Sequence, residues 1–106
     1  MKPTRILYMG NFNQSVNTIF IYKLLNNDRD ITWIHIPKDI LKPNQNRNYC
    51  LVKFNSKQKL DKVFQQLQQQ FANNPSALID IVDNPYSPKQ EKLIQKIYKE
   101  QTIHHS

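Results

Sequence analysis

Apolar positions along this chain repeat with two different periods, and the changes of period mark its elements. A period of two belongs to a strand, whose successive side chains point to opposite faces; spacings of three and four belong to a helix. Residues 5–12 alternate as a first strand, with Leu7 and Met9 on the core face and Ile6 and Tyr8 opposite. Asn13 to Asn17 supplies turn and cap residues, with Ser15 as a candidate helix N-cap. Val16, Ile19, Phe20, Lys23 and Leu24 then follow helical spacing, broadened by Ile21 and Tyr22. That helix stops at Asn26-Asn27-Asp28, where Asn can adopt the left-handed conformation that usually falls to Gly.

Residues 30–36 read as a second strand with apolar residues on both faces. If Ile34 and Ile36 face the core, then Ile31, Trp33 and His35 share the other face with Tyr8. Pro37 closes this strand, and 39–46 form a loop. From Tyr49 to Phe54 the alternation is clean: Cys50, Val52 and Phe54 point one way, Tyr49, Leu51 and Lys53 the other. Asn55-Ser56 caps a second helix with the stripe Leu60, Val63, Phe64, Leu67 and Phe71, its glutamines on the solvent side. Asn73-Asn74-Pro75 ends it, and 77–82 read as a fourth strand. The order β-α-β-β-α-β is the split βαβ arrangement of the ferredoxin-like α+β sandwich. It implies a four-stranded antiparallel sheet backed by two helices, with the other sheet face free.

A third helix follows. Ser87 as cap, Pro88 at the first helical position and Gln90 form a start signature. Leu93, Ile94, Ile97 and Tyr98 make one apolar stripe flanked by Lys89, Lys92, Lys96 and Lys99. A helix of about 14 residues with one apolar face must pack on something. The free sheet face, a partner protein and a second copy all fit. The expected division is a domain over 1–85, an amphipathic helix over 86–101 and a tail over 102–106, whose His104-His105 reads as a disordered end rather than a metal site.

The strand at 49–54 carries the chemistry. Tyr49, Leu51 and Lys53, with Arg47 ahead of them, are an odd set to leave in water unless something flat and anionic lies on them. Single-stranded nucleic acid fits, because bases stack on aromatic faces and phosphates pair with Lys and Arg. Arg47 to Phe54 resembles the RNP1 octamer of the RNA recognition motif, K/R-G-F/Y-G/A-F-V-x-F/Y. Arg47, Tyr49, Val52 and Phe54 match, whereas Asn48, Cys50 and Leu51 depart from it. Upstream, Leu7-Tyr8-Met9-Gly10-Asn11-Phe12 resembles the RNP2 hexamer. The two motifs stand in the right order at a fitting separation, so the resemblance spans roughly residues 4 to 85.

The resemblance implies a single-stranded RNA partner, with Tyr8 and Tyr49 stacking bases and Arg47 on a phosphate. Lys53 adds charge on the same face. Strand alternation, not the family pattern, adds Trp33, which either extends the stacking platform or covers an edge of the core. Leu51 in place of the second aromatic implies a weakened third stacking site. A protein-interaction module on the same fold, using the sheet face or the third helix, is the alternative.

With 106 residues the chain holds a single core. A net charge of +7 favours an anionic partner, though such a charge also aids solubility. No His-x-x-x-His, Cys cluster, Gly-rich phosphate loop or nucleophile–base spacing is present, so neither an enzyme nor a cofactor or metal site is expected. No apolar run reaches the ~20 residues of a membrane helix. Cys50, the single cysteine, reads as a buried hydrophobe in a reducing compartment, hence an intracellular protein, nuclear or cytoplasmic.

Overall fold

In the computed structural model, which describes residues 4–11, 17–37, 41 and 49–103, all seven expected elements are present. They are β1 (Arg5–Gly10), α1 (Thr18–Leu24), β2 (Ile31–His35), β3 (Tyr49–Phe54), α2 (Lys57–Gln70), β4 (Leu78–Asp83) and α3 (Pro88–Ile103). The strands form one antiparallel sheet in the order β2-β3-β1-β4. Leu7 pairs with Val52 and Met9 with Cys50, so the two central strands present one apolar face to α2. Leu60, Val63 and Leu67 of α2 are buried against it. Each such side chain contributes about 1.5–3 kcal/mol when fully withdrawn from water. Cys50 is fully buried, and burial pushes its thiol up to about 12, which leaves it inert.

Local capping explains the helix ends. Ser56 accepts a hydrogen bond from the Lys59 amide at 3.1 Å and starts α2. At α3, Ser87 Oγ accepts from the Gln90 amide while Gln90 Oε1 accepts from the Ser87 amide, a reciprocal capping box. α1 ends as expected: Asn26 and Asn27 have φ of 62° and 52°. The Asn27 amide donates to Tyr22 O and the Asn26 amide to Lys23 O, which together satisfy two terminal carbonyls.

The start and the face of α1 differ from expectation. The helix begins at Thr18, and Asn17 rather than Ser15 caps it, accepting from the Phe20 amide at 2.9 Å; Ser15 itself lies outside the described residues. Thr18, Ile21 and Leu25 face the core, and Phe20 is exposed. The rotation lets Tyr22 meet Tyr98 of α3 edge-on, with ring centroids 6.3 Å apart.

In β2 a register irregularity falls between Ile31 and Trp33. Ile31 pairs with Phe54 and therefore faces the helices, while Trp33 pairs with Lys53 and His35 with Leu51 on the opposite face. Ile31 was expected beside Trp33. The extra residue, Thr32, separates them, as a bulge does.

Of the placements open to the third helix, packing on the domain itself is the one seen, and it leaves only part of the sheet face free. β4 lies at the edge opposite β2, yet α3 packs on β2 and α1. The linker Asn84–Ser87 must therefore cross the sheet, over β1 and β3. Three strand spacings of ~4.8 Å are about what four extended residues can span. Asn84 anchors the start, donating to Thr4 O through its amide and to Thr4 Oγ1 through its side chain. Tyr86 then meets the Trp33 ring at 5.6 Å and the His35 ring at 5.2 Å. Ile6, Leu51 and Trp33, all on this face, are buried, and Ile94 and Tyr98 join the same core.

Candidate nucleic-acid interface

Cross-strand pairs share a face, so the register lays out this surface in rows. Trp33 stands beside Lys53, and Ile6 beside Val82, under the crossing linker. The next row is His35, Leu51, Tyr8 and Asp80. Beyond it come Tyr49, Gly10 and Leu78. The linker thus covers one end of the face and leaves the end with both tyrosines accessible.

Tyr8 and Tyr49 meet there as a stacked pair, with ring centroids 5.4 Å apart and planes 25° from parallel. Both are partly exposed. Gly10 makes this arrangement fit. A Cβ at that position would lie 2.8 Å from Tyr8 Oη and 3.0 Å from Tyr8 Cε1, so the Tyr8 ring lies over bare backbone. The sequence suggests that this one glycine releases the strand into a loop. Gly10 is the last residue of β1, still paired with Tyr49, and the left-handed turn residue that follows is Asn11, with φ of 67°. Gly10→Ala is expected to leave stability within about 1 kcal/mol, because the atoms met are the mobile end of a side chain. It should displace the Tyr8 ring, which a changed Tyr8–Tyr49 contact in NMR spectra would report.

Trp33 and Lys53 do not belong to the accessible end. Trp33 is 0% exposed and donates its indole N–H to Glu91 Oε1 at 3.2 Å. Of the two roles open to Trp33, the structure shows the covering one, because the linker and α3 pack against its ring. Lys53 Nζ lies 2.6 Å from the same Glu91 oxygen, and its charge is matched within the fold. Arg47 lies outside the described residues. Leu51 is 5% exposed. An aliphatic side chain at that position fills the covered part of the face where a second ring would have needed open space.

Glu91 could not be singled out from sequence, since two acids among the four lysines of α3 carry no pattern. It sits in the first turn of α3, where the helix dipole favours a negative charge. Burial alone would raise its carboxyl, but hydrogen bonds from Lys53, Trp33 and Asn84 outweigh this and hold it below the usual carboxylate range. A carboxyl lowered on folding contributes stability that is present above its unfolded value and lost as pH falls through its folded one. Glu91→Gln is therefore expected to cost ~1.5–3 kcal/mol at neutral pH. The gap to the unaltered chain should close as pH drops below the carboxylate range, measured by urea unfolding. His35 acts in a higher window. Burial lowers its imidazole, whose Nδ1 lies 2.6 Å from Tyr86 Oη, so its share of stability declines as pH falls through the unfolded value near 6.5.

Among the described residues, no group of three or more His, Cys, Asp or Glu is placed to hold a metal ion. No helix among them is long and apolar enough to cross a membrane.

The model of the family described as RNA recognition motif matches residues 7–76. Among solved structures, the Snu17p–Pml1p structure, an intermediate during RES complex assembly, superposes with a TM-score of 0.73 at 12% identity, covering 98% of this chain and 87% of that one. The RNA-binding protein PG1 gives 0.54 at 14% identity over 80% of this chain and 99% of its own. The second RRM domain of the yeast poly(U)-binding protein Pub1 gives 0.51 at 16% identity, covering 79% and 98%. Identities this low establish the fold alone. No curated protein matches the sequence significantly.

Proposed function

The chain belongs to the RNA recognition motif family, and we propose that it binds single-stranded RNA on the accessible end of its sheet. The observation that carries this reading is the Tyr8–Tyr49 pair, partly exposed on adjacent central strands. Bases stack on such rings whatever their identity, because every base has a π-face. In this reading Tyr8 and Tyr49 are the stacking residues, and Arg47, by its place in the family's octamer, meets a phosphate. Trp33 and Lys53 hold the linker and α3 in place instead. A net charge of +7 favours the approach of a polyanion.

Titration of short single-stranded RNAs at two salt concentrations tests this. Binding is expected to weaken with salt, log affinity falling by ~0.7 per phosphate contact against log salt. Absence of binding at low salt would refute it.

A protein contact is favoured as a second reading by one observation: Leu93 and Ile97 of α3 are 61% and 45% exposed. Self-association or partner binding lost on Leu93→Ser with Ile97→Ser, with the RNA titration unchanged, would establish it.

A further inference from the structure

We propose that Asp80 reads the base lying on Tyr8 and selects one whose edge carries N–H donors, guanine above all. The inference rests on the RNA-binding reading and adds a base identity to it. Asp80 is directly opposite Tyr8 in the β1–β4 register, and both belong to the accessible part of the face. Together with Ala77, Leu78, Ile79 and Val82 they line a shallow groove of about 380 Å³, room for a purine ring beside the tyrosine. The polar side-chain groups among its lining residues are the Tyr8 hydroxyl and the Asp80 carboxylate, whose Oδ1 accepts the Ile81 amide at 2.8 Å and is thereby held in orientation.

An exposed carboxylate beside a nucleic-acid site repels phosphates, so it contributes favourably only through base edges. A carboxylate accepts and cannot donate. Guanine offers it two parallel donors, N1–H and the 2-amino group. Adenine and cytosine offer one amino group each. Uracil offers a single N–H flanked by two carbonyl oxygens that the carboxylate repels. The order that follows is guanine first, adenine and cytosine next, uracil last.

The test uses the full chain and three labelled RNA hexamers: all uridine, uridine with one central guanosine, and uridine with one central inosine, which lacks the 2-amino group. The guanosine hexamer is expected to bind roughly 5- to 150-fold more tightly than hexauridine, the discrimination typical of a bidentate base contact. Inosine should fall between them. Asp80→Ala should bring all three within about twofold. Asp80→Asn, which keeps an acceptor for the Ile81 amide, should also lose the guanosine preference. Circular dichroism confirms folding of both variants. Equal binding of the hexamers by the unaltered chain, or a preference that survives Asp80→Ala, would overturn the assignment and leave RNA binding standing. Binding of none would overturn both.

Discussion

Replacing Tyr8 and Tyr49 together with Ala is expected to weaken single-stranded RNA binding by ~2–6 kcal/mol, at ~1–3 kcal/mol per stacked base. The fold should survive, because both rings are partly exposed and their mutual contact contributes only about 0.5–1.5 kcal/mol. Tyr→Phe at both positions keeps the rings and removes the hydroxyls, so it should retain most of the affinity. Fluorescence anisotropy with a short labelled RNA, alongside thermal unfolding of each variant, separates lost stacking from lost structure. A folded double-Ala variant with unchanged affinity would end the platform reading. Loss in the Phe variant equal to that in the Ala variant would move the chemistry from the rings to the hydroxyls.

The largest expected effect on stability lies at Trp33. Trp33→Ala removes a fully buried indole between β2, Tyr86 and the first turn of α3. Such truncations cost about 3–5 kcal/mol, a large share of the ~5–15 kcal/mol that holds a domain together. The linker would lose the surface on which Tyr86 rests, and Glu91 would keep only its contacts to Lys53 and Asn84. Trp33→Phe preserves most of the apolar volume and removes the N–H donor, so its cost should be nearer 1 kcal/mol for the hydrogen bond, plus a small packing term. Neither variant, while folded, should change RNA affinity by more than about twofold. A tenfold loss of affinity in folded Trp33→Phe would return this residue to the binding surface.

The two sets of substitutions divide one sheet face into a scaffold end and a ligand end. That division depends on chain direction. Because β4 ends at one edge and α3 packs at the other, the four residues between them have to lie across the face. They lie across the row of Trp33 and Lys53 rather than that of Tyr49 and Gly10, since β4 ends at Asp83, opposite Arg5 at the start of β1.

Most of what near neighbours in the chain set is legible in the sequence. The alternation of Cys50, Val52 and Phe54 against Tyr49, Leu51 and Lys53 fixed which side of β3 faced α2. Ser56 and the Ser87–Gln90 pair marked helix starts because a cap bonds residues only three apart. Asn26 and Asn27 marked a helix end because their side chains tolerate positive φ. The element order, and with it the family, came from these local signals and from two motifs in β1 and β3. Two local features are not legible there: Asn17 and Ser15 are comparable caps in sequence, yet Asn17 is the one that caps α1, and no spacing marks the bulge at Thr32.

Tertiary structure decided which side chains of the outer sheet face meet solvent. Alternation assigns a residue to a face and says nothing of what covers that face. Alternation alone places Trp33 and Tyr49 on the same outer side, yet one is 0% exposed and the other is accessible. Contacts separated by tens of residues made the difference: Glu91 to Trp33 and Lys53, and Tyr86 to His35. Asp80 beside Tyr8 is of the same kind, because strand pairing brings together residues 72 positions apart that no local spacing could relate.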